Sequence, residues 1–154
     1  METKVQMEYP PLVRHLDPVI QMDEEQFFQF CRINDELRIE RTAKGDLEVM
    51  PLTGEGTGYR NVKVVTRLAL WADRDDTGVV FDSSAGFVLP KGATRSPDAS
   101  WVRRERLADL SAQQKERFLP LCPDFVVELR SPSDRLEQLQ DKMREYAENG
   151  ARLG

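Results

Sequence analysis

The sequence is poor in the residues that build redox and zinc centres. It holds two cysteines, Cys31 and Cys122, and a single histidine, His15. Neither cysteine belongs to a CxxC pair, which excludes a disulfide framework and predicts a reduced, cytoplasmic protein. A zinc site needs several nitrogen or sulfur ligands, so His15 reads as a surface residue. No apolar run approaches the roughly 20 residues of a membrane span, and no signal-peptide core is visible, so no membrane partner is expected. Positive charge is short as well. Against 27 aspartates and glutamates stand 22 lysines and arginines, a formal net charge of −5, which excludes a globally basic nucleic-acid binder. What remains, 154 residues of which 40% are hydrophobic, is enough for one domain with a real core.

The charge is uneven. Residues 91–120 carry seven basic and four acidic side chains, whereas residues 1–90 carry ten and sixteen. A basic segment in an acidic protein could face phosphate. Arg103-Arg104-Glu105-Arg106 reads equally well as an ordinary solvated loop and helix.

Residues 1–22 contain Pro10, Pro11 and Pro18, show no periodicity and read as an irregular N-terminal arm. Residues 23–154 read as one domain. Asp23 and Gln26 form a capping-box pattern ahead of a short helix bearing Phe27, Phe28 and Phe30. Leu37 to Arg41 and Leu47 to Met50 predict a hairpin around Lys44-Gly45-Asp46. Gly54, Gly56 and Gly58 suggest a flexible connection before a helix near 59–73. Their spacing fits neither a Walker motif nor a dinucleotide fingerprint. Three short strands near 79–81, 87–89 and 98–102 follow, then a short helix near 111–117, a strong strand over 125–129 and a last helix over 134–149 closed by Gly150. The pattern is α+β (α/β), a mixed sheet flanked by helices. After such a capped helix the chain is expected to return as another strand. The sequence stops soon after, at Gly154, so the domain is expected to lack its C-terminal strands. An open sheet edge would then favour strand exchange or a homodimer.

Two acids stand out. Alternation over Asp124 to Ser131 puts Val126, Glu128 and Arg130 on one face, and a carboxylate in so apolar a strand is costly unless it is paired or binds a cation. A same-face Glu128–Arg130 pair would satisfy it too. In Ser96-Pro97-Asp98-Ala99, the proline places Asp98 at a strand entrance, although Pro-Asp also reads as a plain turn. Two acids on separate strands suit an oxygen-rich Mg²⁺ site, and such a site beside a cation can hydrolyse phosphodiesters.

At these residues the chain resembles the Uma-two family of restriction endonuclease-like proteins, within the PD-(D/E)xK nuclease superfamily. The matching pieces are Leu37 to Arg41, Met50 to Gly54, Arg95 to Val102, Pro123 to Asp134, and Lys142-Met143-x-x-Tyr146 with Asn149-Gly150. The resemblance implies a restriction-endonuclease-like core and Mg²⁺- or Mn²⁺-dependent cleavage of DNA, that is, an endodeoxyribonuclease. It makes Asp98 and Glu128 the metal-binding acids and Glu40 the early acid of the first hairpin. Glu40 could hold a second metal, orient the attacking water or lie on the surface. The family's lysine two residues after the second acid is Arg130 here, which keeps the charge but cannot act as a base. Lys142, on the following helix, is the alternative cation. It could reach along the sheet to the acids or point to solvent. Two other readings remain open: a non-catalytic nuclease-fold module binding a protein or nucleic-acid partner, and a folded domain whose acids form structural pairs.

Overall fold

The computed structural model describes residues 9–154. In chain order these form β1 (Leu12–Arg14), α1 (Glu24–Ile33), β2 (Arg38–Arg41), β3 (Leu47–Met50), α2 (Glu55–Asp75), β4 (Gly78–Asp82), β5 (Phe87–Val88), β6 (Thr94–Arg95), β7 (Ala99–Arg103), α3 (Arg104–Ala108), α4 (Ala112–Lys115), β8 (Phe125–Val127) and α5 (Leu136–Glu148). Among the described residues no helix is long and apolar enough to cross a membrane.

α1 starts where its capping residues dictate. Asp23 Oδ1 accepts the Gln26 N–H at 2.7 Å, and Gln26 Oε1 accepts the Asp23 N–H at 2.9 Å, so two otherwise orphaned donors are satisfied reciprocally. The helix docks by its aromatic face. Phe27 is fully buried with Ile39 and Leu47, and Phe28 meets Phe118 edge-on with ring centroids 5.0 Å apart.

The strands form two antiparallel sheets, ordered β1-β3-β2-β6-β5 and β4-β7-β8. Parallel character enters through two isolated bridges, Phe87 with Leu119 and Phe125 with Leu153. The larger core, with Phe87, Leu89, Val102, Val126 and Tyr146, lies between the sheets and α5. After α5, Gly150 at φ 110° turns the chain back. Arg152 N–H then donates to Asp124 O at 2.8 Å and Val126 N–H to Leu153 O at 3.1 Å, so residues 152–153 run beside β8.

Three local expectations differ from the structure. Within the segment read as an irregular arm, Leu12–Arg14 pair antiparallel with β3. β6 is two residues long, too short to carry a period. The third difference is at the glycines: Gly54 is the N-cap of α2, and Gly56 and Gly58 lie inside it. Each interior glycine costs a helix about 1 kcal/mol, and tertiary contacts offset it. Buried Thr57 faces Ser131 with hydroxyl oxygens 3.4 Å apart, and Arg60 donates to Arg130 O at 3.2 Å.

The basic segment is largely consumed in ion pairs. Arg104 meets Asp76 at 2.8 Å, Arg106 meets Asp124 at 3.0 Å, Arg103 meets Glu105 at 3.3 Å and Arg117 meets Glu25. His15, as expected, lies at the surface, 3.0 Å from Asp46.

Gly78 admits no side chain. A Cβ there would fall 2.2 Å from the Trp101 indole, whose ring is also stacked edge-on against Trp71 at 5.6 Å. Gly78→Ala is expected to destabilise the protein by about 1–3 kcal/mol through overpacking. Urea unfolding measures the loss, and the near-ultraviolet circular dichroism of the tryptophan pair should change with it.

Candidate active site

The β2–β3 register sets Glu40 directly opposite Glu48, a like-charge pair that is destabilising unless a cation joins it. Arg95, on β6, supplies that cation. Its Nη1 lies 3.2 Å from Glu40 Oε2 and also contacts Glu48, and its Nε donates to Glu145 at 2.6 Å. Burial opposes the charge on Arg95, but Glu145, Glu40 and Glu48 outweigh it and raise its pKa. Glu40 itself is only 1% exposed. It accepts the Ser96 N–H at 3.0 Å and pairs with Lys142 at 3.0 Å. Burial pushes the Glu40 carboxyl up, yet Lys142, Arg95 and Arg38 together hold it below the usual carboxylate range.

Asp98 stands at the entrance to β7. Its Oδ2 accepts the Leu129 N–H at 2.8 Å, which ties this entrance to the residue after Glu128. Its Oδ1 faces Arg38 Nη1 at 3.5 Å, and the Arg38 fork is further held by the Ser96 carbonyl.

Glu128 lies one residue beyond β8, with its side chain 6% exposed. Its Oε1 accepts from Lys142 Nζ at 2.8 Å and from the Tyr146 hydroxyl at 2.9 Å. Burial raises its pKa and Lys142 opposes, but the neighbouring Glu40 and Asp98 charges help to keep it raised. Lys142 and Tyr146 project together because they are one turn apart on α5. Burial works against the Lys142 ammonium, but Glu128 and Glu40 outweigh burial and raise its pKa.

The structure therefore brings Asp98, Glu128 and Lys142 to the wall of one cavity of about 620 Å³. Glu40 sits behind that wall, against Lys142. Arg130 is not brought in. It is exposed, and its Nε donates to Asp134 O at 3.3 Å. Because β8 ends at Val127, the alternation that would keep Arg130 on the face of Glu128 does not continue.

Residues 24–154 match the Uma2 family, whose description is "putative restriction endonuclease". The chain belongs to the Uma2 family. The fold is similar to that of a solved structure described as a putative nuclease belonging to DUF820 from Anabaena variabilis, with a TM-score of 0.61 at 12% identity. The match covers 73% of this chain and 62% of that one, so the chain spans a little under two thirds of that structure's length. This likeness gives the fold, which is restriction-endonuclease-like. No curated protein matches the chain.

Three side chains at the site, Arg38, Arg95 and Tyr146, lie within the matching motifs of the Uma2 family but are given no role by the sequence alone. Signals for two of them were present. A hairpin centred on Lys44 puts Glu40 opposite Glu48 and so demands a buried cation. Tyr146 follows Lys142 by four residues. Tyr146→Phe removes one of the two donors to Glu128 Oε1, and hydrogen bonds to charged groups contribute about 1.5–3 kcal/mol. A stability loss of that size is expected in urea unfolding, and an unchanged midpoint would show the phenol to be idle.

Among the described residues no three aspartate, glutamate, histidine or cysteine side chains form a ready cation cage. Mg²⁺ asks for less. One or two carboxylates suffice, because water and substrate phosphate complete its octahedron. Asp98 and Glu128 fit this pattern: both border the cavity, and Glu128 is held under repulsion by neighbouring acids that a divalent cation would relieve.

Proposed function

We propose that this chain is a metal-dependent endonuclease that hydrolyses phosphodiester bonds in DNA. The observation that carries the reading is the position of Lys142, whose Nζ lies 2.8 Å from Glu128 and 3.0 Å from Glu40 at the edge of the cavity that Asp98 shares. In this reading Asp98 and Glu128 hold Mg²⁺ or Mn²⁺, which when bound polarises the scissile phosphate and acidifies a water.

The remaining roles follow from the protein's own groups. Lys142 is kept protonated by its two carboxylate partners, so it acts as a fixed positive charge beside the phosphate and not as a proton acceptor. Glu40 is ionised and enclosed, its oxygens committed to Ser96, Arg95 and Lys142. It is a positioning residue that aims the lysine. Tyr146 steadies Glu128 by donating its hydroxyl proton, as outer partners of metal-binding carboxylates do.

The test is nicking of supercoiled plasmid in Mg²⁺ or Mn²⁺, run beside calorimetric titration of Mn²⁺ alone. Asp98→Asn should weaken Mn²⁺ binding and suppress nicking together. Nicking that survives Asp98→Asn undiminished would overturn the assignment. Mn²⁺ binding that depends on Asp98, with no cleavage of any nucleic acid, would favour the non-catalytic module.

A further inference from the structure

Helix α2 packs on β4 and β7, burying Ala72 and setting Trp71 against Trp101. Its other side carries three exposed apolar side chains. Tyr59 is 62% exposed, Val62 64% and Leu70 54%. At 100° per residue these three fall with Thr66, Asp73 and Lys63 inside an arc of about 100°, and all six are exposed. A stripe of this kind on a helix about 31 Å long is a partner-sized seam.

We propose that the exposed face of α2 is an isologous interface between two copies of this chain. The charge order along the helix selects that occupant. Residues 55–67 carry Arg60, Lys63 and Arg67 against Glu55, whereas residues 68–75 carry Asp73 and Asp75 against Arg74, Asp76 beyond them being already paired with Arg104 at 2.8 Å. One end is net positive and the other net negative. Only an antiparallel pairing of the helix with itself opposes them twice, as a two-fold axis requires. An axis at Thr66 sets Val62 level with Leu70 of the second copy and Tyr59 level with its Asp73. Small Thr66 then lies at the crossing and allows close approach. Lys63, whose Nζ lies 5.3 Å from the Tyr59 ring centroid, joins the tyrosine in meeting that aspartate. Among the described residues neither Lys63 nor Asp73 has an ion-pair partner of its own. One helix strip lies at the small end of specific interfaces, so the dimer is reversible and micromolar. The inference is independent of whether the chain cuts DNA.

Sedimentation equilibrium of the whole chain across the micromolar range is the test, with far-ultraviolet circular dichroism to confirm folding of each variant. Wild type should dimerise, and Leu70→Glu should raise the dissociation constant at least about tenfold. Lys63→Glu should weaken the dimer, and adding Asp73→Lys should restore it to within about threefold of wild type, because the charges are then exchanged across the axis. A wild type monomeric at high micromolar concentration, or a dimer indifferent to Leu70→Glu, would overturn the proposal. So would a failure of the charge exchange to rescue.

Discussion

Replacing Lys142 by methionine is expected to destabilise the protein by about 3–5 kcal/mol, the usual result of removing one partner from a buried ion pair, and to abolish cleavage. The loss falls on Glu128. Glu40 keeps Arg95 at 3.2 Å and Arg38 at 3.8 Å, whereas among the described residues Glu128 keeps only the Tyr146 hydroxyl, with Asp98 and Glu40 still repelling it. Its carboxyl pKa therefore rises further in the variant. A carboxyl whose folded pKa lies above its unfolded value of 4.5 favours the folded state below that value and disfavours it as pH rises through the folded pKa. The gap between wild type and Lys142→Met should accordingly be smallest near pH 4.5 and widen toward neutrality. Urea unfolding at a series of pH values measures it. A gap independent of pH would show that Lys142 does not compensate Glu128.

Glu128→Gln separates chemistry from stability. The amide keeps an acceptor for Tyr146, and Lys142 keeps Glu40 at 3.0 Å, so no buried charge is left unpaired. One of three mutually repelling acids is also removed. Stability should therefore stay within about 1 kcal/mol of wild type. Cleavage should fall at least about 100-fold, because a ligand to the proposed metal has become neutral. Plasmid nicking, Mn²⁺ calorimetry and urea unfolding on one preparation read all three. Wild-type nicking by this variant would end the nuclease reading, while a large stability loss would recast Glu128 as a structural partner of Lys142. The two variants thus have opposite signatures: Lys142→Met loses fold and function together, Glu128→Gln function alone.

Local chemistry was readable along much of the chain. The Asp23 capping box, the hairpin about Gly45 and the positive-φ stop at Gly150 each rest on a few adjacent residues, and each stands where those residues direct. Glu128 was conspicuous because an acid in an apolar strand needs an explanation. Arg130 was misleading for the same local reason, since its alternation holds only while the strand continues and β8 ends at Val127. The glycines in the first turn of α2 misled because their helix cost is met by contacts from Ser131 and Arg130, 70 or more residues away in sequence.

From the amino-acid order alone follow the α+β class, the helix ends, the two candidate acids and the family resemblance, because capping, periodicity and motif spacing are properties of neighbouring residues. Which cation serves those acids was a question for the folded chain. Arg130 lies two residues from Glu128 and points away, whereas Lys142 lies fourteen residues on and touches it. Sequence distance carries no information about which of two long side chains reaches a buried carboxylate. That is settled by the packing of α5 on the sheet, where desolvated charges must find their partners.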